Sequence, residues 1–342
     1  MNHSAPSVTH RISQRGLTLV EVMVAITISL ILLAGVMQIF ISSRQTYRVQ
    51  DALARIQENG RFAMDFLASD IRMADYWGCL KNRTALTNNL NAGGAGYNPT
   101  LHGFANGIEG TDGSTDSITL RMAEQTGLTL LSPFGPLASA NIGVRPGNTL
   151  QQGDIVIVSD CTAGDIFQIS NANPGGTGTI VHNTGNATSP GNFNPGACVG
   201  ANAHCLSKIY QGDAQLMTTT VRRYFIQADA TNNNAPTLYR QDQGDAAQPL
   251  AADVENMQIL YGEDMNSPMD GSANRYVPAG AAGLVLANVV SVRLSLLVRS
   301  AENNITAQPQ PYTFNGAAAI TPADRRLRRV FTTTIRLRNR GL

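Results

Sequence analysis

Gln14-Arg15-Gly16-Leu17-Thr18-Leu19-Val20-Glu21-Val22-Met23-Val24-Ala25 opens an apolar run that continues through Ile41. Between Leu17 and Ser43 the only formal charge is Glu21, and about 20 consecutive apolar residues are enough to cross a bilayer core. A secretory signal carries its cleavage site after the apolar core, behind small residues. Here the one processing-like junction, Gly16 before Leu17, comes first, so cutting there leaves the apolar helix on the mature chain. Arg11 and Arg15 flank the run on its amino side, which keeps the leader cytoplasmic and the carboxyl-terminal mass on the far side of the membrane.

Helix formation is expected to continue past the apolar run. No proline occurs from Leu17 to Tyr76, and Ser43 to Tyr76 is rich in Ala, Arg, Gln, Glu, Leu and Met, all good helix formers. Tyr47, Val49, Leu53, Ile56, Ala63, Phe66, Leu67 and Ile71 recur at helical spacing among charged residues, the pattern of an amphipathic helix with one covered face. Gly35 and Gly60 are its weak points.

Glu21 carries the sharpest chemistry. A carboxylate inside an apolar segment costs a few kcal/mol or more unless paired or protonated. Cleavage after Gly16 would create an α-amine on Leu17, four residues from Glu21. A neighbouring subunit's amine would then neutralise the carboxylate as helices pack together.

The segment Gly16 to Ala25 resembles the class III leader of type IV pilins and type II secretion pseudopilins, although Leu17 stands where many pilins carry phenylalanine. Asp75-Tyr76-Trp77-Gly78-Cys79 and the runs Gly153 to Cys161, Val254 to Gly262 and Phe331 to Asn339 are similar to those of the PilW family of minor pilins. The resemblance implies cleavage by a prepilin peptidase between Gly16 and Leu17, N-methylation of Leu17, and a role for Glu21 in assembly. It implies an α+β, pilin-like fold. In that fold a long N-terminal α-helix, membrane-spanning in its first half and amphipathic in its second, packs on an antiparallel β-sheet head with long loops. The expected division is a cleaved leader (1–16), a transmembrane and filament-core helix (17–42), an amphipathic continuation (43–76) and a β-rich periplasmic head (77–342). The implied partners are the peptidase, other minor pilins, the major pilin, a tip adhesin and the inner membrane. The implied place is the inner membrane before assembly and the pilus tip afterwards, in support of twitching motility and adhesion. A type II secretion pseudopilin would share the leader, Glu21 and the helix, and a membrane-anchored periplasmic protein of other activity is the remaining alternative.

The net charge is +1 and only 14% of the 342 residues are charged, so no global field favours nucleic acid, and none is expected as a partner. Alternating runs at Ser117 to Met122, Asp154 to Ser159, Asp165 to Ser170, Thr219 to Gln227, Thr237 to Arg240, Val254 to Tyr261, Val289 to Arg299 and Val330 to Arg338 have strand character. Trp77 to Ser117 and Asn171 to His204 are dominated by Asn, Gly, Thr, Pro and Ala. The first reads as a long surface connection, the second as an exposed insertion.

Cys79, Cys161, Cys198 and Cys205 all follow the apolar run, where an oxidising compartment allows three pairings. Cys198 with Cys205 is favoured because the two flank a short turn-rich loop, which leaves Cys79 with Cys161. A zinc site at His204 and Cys205 lacks the C-x2-C spacing. No catalytic residue, metal or cofactor is expected: His102, His182 and His204 lie in loop-like sequence, and HExxH, GxSxG and phosphate-cradling motifs do not occur. Asp112 with Asp116, and Asp264 with Asp270, sit in Gly-containing turns without the EF-hand pattern and read as solvated turns, though calcium remains the competing reading. The arginines at 325, 326, 328, 329, 336, 338 and 340 read as a solvated strand face or a contact for an acidic neighbour.

Overall fold

A computed structural model describes residues 16, 18–80, 83–134, 140–184, 188–193 and 206–340. The chain forms two units, residues 1–51 and 52–342.

Helix α1, Leu19–Met73, runs unbroken through Gly35 and Gly60. In the first unit every described large apolar side chain of the run is exposed, from Leu19 to Ile41. In the second unit α1 buries Ala52, Ile56, Gly60, Ala63, Leu67 and Ile71, a stripe of threes and fours facing the head. Tyr47 and Phe66, expected on the covered face, are exposed, because the buried stripe passes through the small residues Ala52 and Gly60 instead. Close packing explains Gly60: a Cβ there would overlap the Phe331 ring. The helix was expected to reach Tyr76 but ends at Met73, since Asp75 takes the left-handed conformation at φ 64°, which terminates a helix.

The head strands are β1 (Leu86–Asn88), β2 (Ile108–Thr111), β3 (Ser117–Leu131), β4 (Asn141–Val144), β5 (Ile155–Ser159), β6 (Gly164–Gln168) and β7 (Thr179–Val181). They continue with β8 (Gln215–Asp229), β9 (Ala235–Asp242), β10 (Gln248–Ala252), β11 (Val254–Glu263), β12 (Arg275–Val277), β13 (Val289–Arg299) and β14 (Arg328–Arg336). Two short helices, α2 (Pro99–His102) and α3 (Pro174–Thr177), lie in the connections.

These strands form two sheets where one was expected. A ten-stranded sheet follows the path β1-β6-β5-β8-β3-β4-β7, with β2 on β3 and the β9–β10 pair on β8. The four-stranded sheet has the order β12-β11-β13-β14. Pairing is antiparallel except between β1 and β6. Strand β8 spans 15 residues and joins the halves of the large sheet: Gln215 to Thr218 pair with β5, and Arg222 to Asp229 with β9.

The principal core lies between the stripe of α1, residues of β3, β8 and β9, and the small sheet, where Val292, Leu294, Leu296 and Val298 of β13 face inward as their alternation predicts. Each fully buried Leu or Ile there contributes about 1.5–3 kcal/mol. Strand β5 is buried on both faces. Val156 and Val158 join one cluster with Phe167 and Leu216, while Ile155 and Ile157 join another with Trp77, Leu80, Leu90 and Phe104.

That second cluster corrects the expectation for Trp77 to Ser117. The segment is not a surface connection: Trp77, Leu80, Leu90, Phe104 and Ile108 are buried, and Trp77 meets Phe104 edge to face with ring centroids 5.9 Å apart. Widely spaced large side chains cover the outer face of β5 while the Asn and Gly between them turn the chain. The insertion from Asn171 is likewise partly inside, with β7 pairing to β4 and Ile180, His182 and Asn192 buried.

Candidate functional site: the anchor and its junction with the head

The first turn of α1 is built by Thr18. Its Oγ1 accepts from the Glu21 amide at 3.2 Å, and its carbonyl accepts from Val22 N at 3.1 Å. Thr18-x-x-Glu21 is the capping-box spacing, a signal present in the sequence that the functional reading of Glu21 passed over. Glu21 lies in the first turn, where the helix dipole favours negative charge. Gly16 is exposed; Leu17 lies outside the described residues. Farther along, the Thr27 hydroxyl donates to Met23 O at 2.6 Å, which satisfies a polar group in a segment that offers no water.

At the other end of α1, Asp75 is the centre of a buried charged cluster. Its Oδ1 accepts from Trp77 Nε1 at 2.8 Å and pairs with the Arg83 guanidinium, while Oδ2 accepts from Arg340 Nε at 2.6 Å. Arg121, fully buried, donates to Asn106 O, Thr100 O and Glu109 Oε1 at 3.0, 2.7 and 2.9 Å. Burial, then the charges of Arg340 and Arg121, pull the Arg83 guanidinium down to about 9. Burial pulls Arg340 down to about 10. Asp75 offsets the charge of Arg83 and Arg340, and Glu109 that of Arg121.

The phrase Asp75 to Cys79 is therefore a coupling device. Tyr76 O accepts from Ala123 N at 2.7 Å, Trp77 fills the cluster over β5, Gly78 has φ 72°, and Cys79 is disulfide-bonded to Cys161 beyond the end of β5. The chain end completes it. Arg338 N donates to Arg72 O at 3.1 Å, and Asn339 Nδ2 donates to Met73 O and Ala74 O at 3.2 and 3.1 Å, supplying donors that the last helical carbonyls lack.

The other residues singled out from the sequence fall as follows. Cys198, Cys205 and His204 lie outside the described residues. His102 and His182 are buried, not loop-exposed: His102 closes α2, where its Nδ1 accepts from Asn98 N at 2.9 Å, and His182 packs on Phe167. Asp116 is turned inward instead of solvated, accepting from Ile259 N at 2.7 Å and Gly113 N at 3.1 Å. Asp264 likewise accepts from Asn266 N and Gly271 N at 3.0 and 2.7 Å. Among the described residues no group of metal-ligating side chains comes together. The arginine group does not act as one face: Arg328 pairs with Glu255 and Asp324, Arg326 binds the carbonyls of Ser300 and Ala301, and Arg340 is inside.

An exposed apolar helix of membrane-spanning length, the one such helix among the described residues, continuing as the packed spine of a β-sheet head, defines a pilin-like arrangement. Residues 11–37 match the prokaryotic N-terminal methylation motif, and residues 223–339 match type IV pilus-assembly protein W. The carboxyl-terminal third of the chain is thus similar to the PilW type IV pilus-assembly family, and its amino-terminal segment to the pilin methylation motif. Comparison with curated proteins and with solved structures returned no match.

Proposed function

We propose that the protein is a minor pilin, cut after Gly16 and methylated on Leu17, that helps start a type IV pilus. The observation that carries this reading is the fully exposed apolar helix bearing one carboxylate, Glu21, in its first turn. Apolar side chains from Leu19 to Ile41 need lipid before assembly and neighbouring helices after it. In the filament Glu21 meets the new α-amine of an adjacent pilin, so residues 17–42 serve as filament core and 43–76 carry the chain into the head at 77–342. The protein then acts with other minor pilins and the major pilin, at a tip that presents an adhesin, and supports twitching and attachment. It waits in the inner membrane with its head in the periplasm, and its role is non-catalytic.

The test is the intact mass of the membrane-extracted protein from cells with and without prepilin peptidase. The expected mass begins at Leu17 and includes one methyl group; an unprocessed mass in peptidase-competent cells would overturn the proposal. Glu21→Ala is expected to leave processing and membrane insertion intact and to cut surface piliation at least tenfold. Alkylation before and after reduction, read by mass, is expected to reveal a second disulfide at Cys198 and Cys205.

A further inference from the structure

Helix α1 carries apolar side chains outside its buried stripe as well. Phe62 and Phe66, four residues apart, lie against one another with ring centroids 4.6 Å apart, yet stay 43% and 37% exposed. A single exposed apolar residue is ordinary, whereas a paired aromatic ridge beside a cavity marks a contact surface. Phe66 walls a cavity of about 290 Å³, with Arg240, Asp242, Asp245, Pro249 and Leu250 of the β9–β10 hairpin among its other lining residues. That volume falls just under the roughly 300–1,000 Å³ of small-molecule pockets, so the cavity suits one side chain.

The charges around it do not cancel. Asp242 is held by Arg240, whose Nε and Nη2 donate to it at 2.9 and 2.6 Å. Arg222 donates to Asp70 at 3.0 Å and to Glu124 at 2.7 Å. Asp245 is left over. Its main chain is fixed, the amide donating to Asp242 O at 3.1 Å and the carbonyl accepting from Gln241 Nε2 at 3.2 Å. Its exposed carboxylate has no ion pair or hydrogen bond among the described residues. Two guanidiniums, Arg222 and Arg240, thus serve four carboxylates, Asp70, Glu124, Asp242 and Asp245. The neighbouring Arg61–Asp65 pair adds no net charge.

We infer that this corner receives an arginine side chain of a partner protein, its guanidinium paired with Asp245 and lying on the Phe66 ring. A free carboxylate calls for a cation, and an exposed aromatic face attracts one. A planar guanidinium meets both demands at once, where an ammonium, compact and strongly hydrated, meets them less well. All these residues belong to the head, so the inference does not depend on how the anchor is processed or assembled.

The experiment uses the full chain in detergent and a fluorescein-labelled hexapeptide, Gly-Ser-Leu-Arg-Ser-Gly, read by anisotropy beside the same peptide with citrulline, the neutral isostere of arginine. Saturable binding of the arginine peptide is expected, weakened at least tenfold by Asp245→Asn and about threefold by Phe66→Leu. It is expected to be unchanged by Asp213→Asn, which is exposed elsewhere. Urea midpoints equal to the parent's separate lost binding from lost folding. Equal binding of the citrulline peptide, undiminished affinity in Asp245→Asn, or absence of saturable binding would each overturn the inference. So would competition by free arginine as strong as that by unlabelled peptide, which would mark a small-molecule site.

Discussion

Gly60 shows how one residue can matter through what it lacks. Alanine is favoured over glycine within a helix by about 1 kcal/mol, yet a methyl group here would enter the space of the Phe331 ring, and overpacking costs about 1–3 kcal/mol. Gly60→Ala is therefore expected to lower the urea midpoint, and to raise it once Phe331→Leu has opened the space; stabilisation by Gly60→Ala alone would contradict this packing. Asp324 makes a second single-residue case. Hydrogen bonding from Arg328 outweighs partial burial and holds its carboxyl at about 2, below the ordinary 3.8. The folded state thus favours the ionised form, and the stability it confers is complete above about pH 4 and lost as pH falls toward 2. Asp324→Asn is expected to flatten that part of the acid-unfolding curve. Burial raises the Asp116 carboxyl despite main-chain bonds from Ile259 and Gly113, so this group acts in the opposite sense over its own titration.

Among the elements, legibility follows from how local the signal is. Strand β13 could be read directly, because Val292, Leu294 and Leu296 alternate with Ser and Arg and join the core with the helix stripe. The hairpin of β5 and β6 was equally plain. The segment from Trp77 to Ser117 was not, since its apolar residues are too far apart to show a period and acquire meaning only against β5. The division into two sheets was illegible for a related reason: strand pairing depends on partners distant in sequence, as in Ile118 opposite Tyr224 of the large sheet. At the anchor, Glu21 stood out by its charge alone, whereas the Asp75 cluster assembles residues from distant parts of the chain, and nothing in the sequence joins Asp75 to Arg83 and Arg340. The disulfide from Cys79 to Cys161 spans a sequence separation of 82 and fixes the covering segment to the strand beneath it. Cys161→Ser is expected to cost about 2–4 kcal/mol and to expose the Trp77 indole, seen as a red-shifted fluorescence; an unchanged emission and midpoint would argue against that coupling.

For the whole molecule, the family match over 223–339 covers the small sheet and the tail that binds the helix end, while the methylation motif covers the anchor's beginning. Those two ends of the chain carry the features from which function was inferred, and the Asn- and Gly-rich middle supplies the cover over the large sheet. The bond between Asp75 and Arg340 joins residues 265 positions apart. Its consequence is one of timing. Synthesis presents Asp75, Arg83 and the helix carbonyls long before residues 338–340, so those late residues close the helix end. A chain broken off before them leaves Asp75 without Arg340 and the carbonyls of Arg72, Met73 and Ala74 without these donors, so residues 338–340 become a condition of closing the helix end.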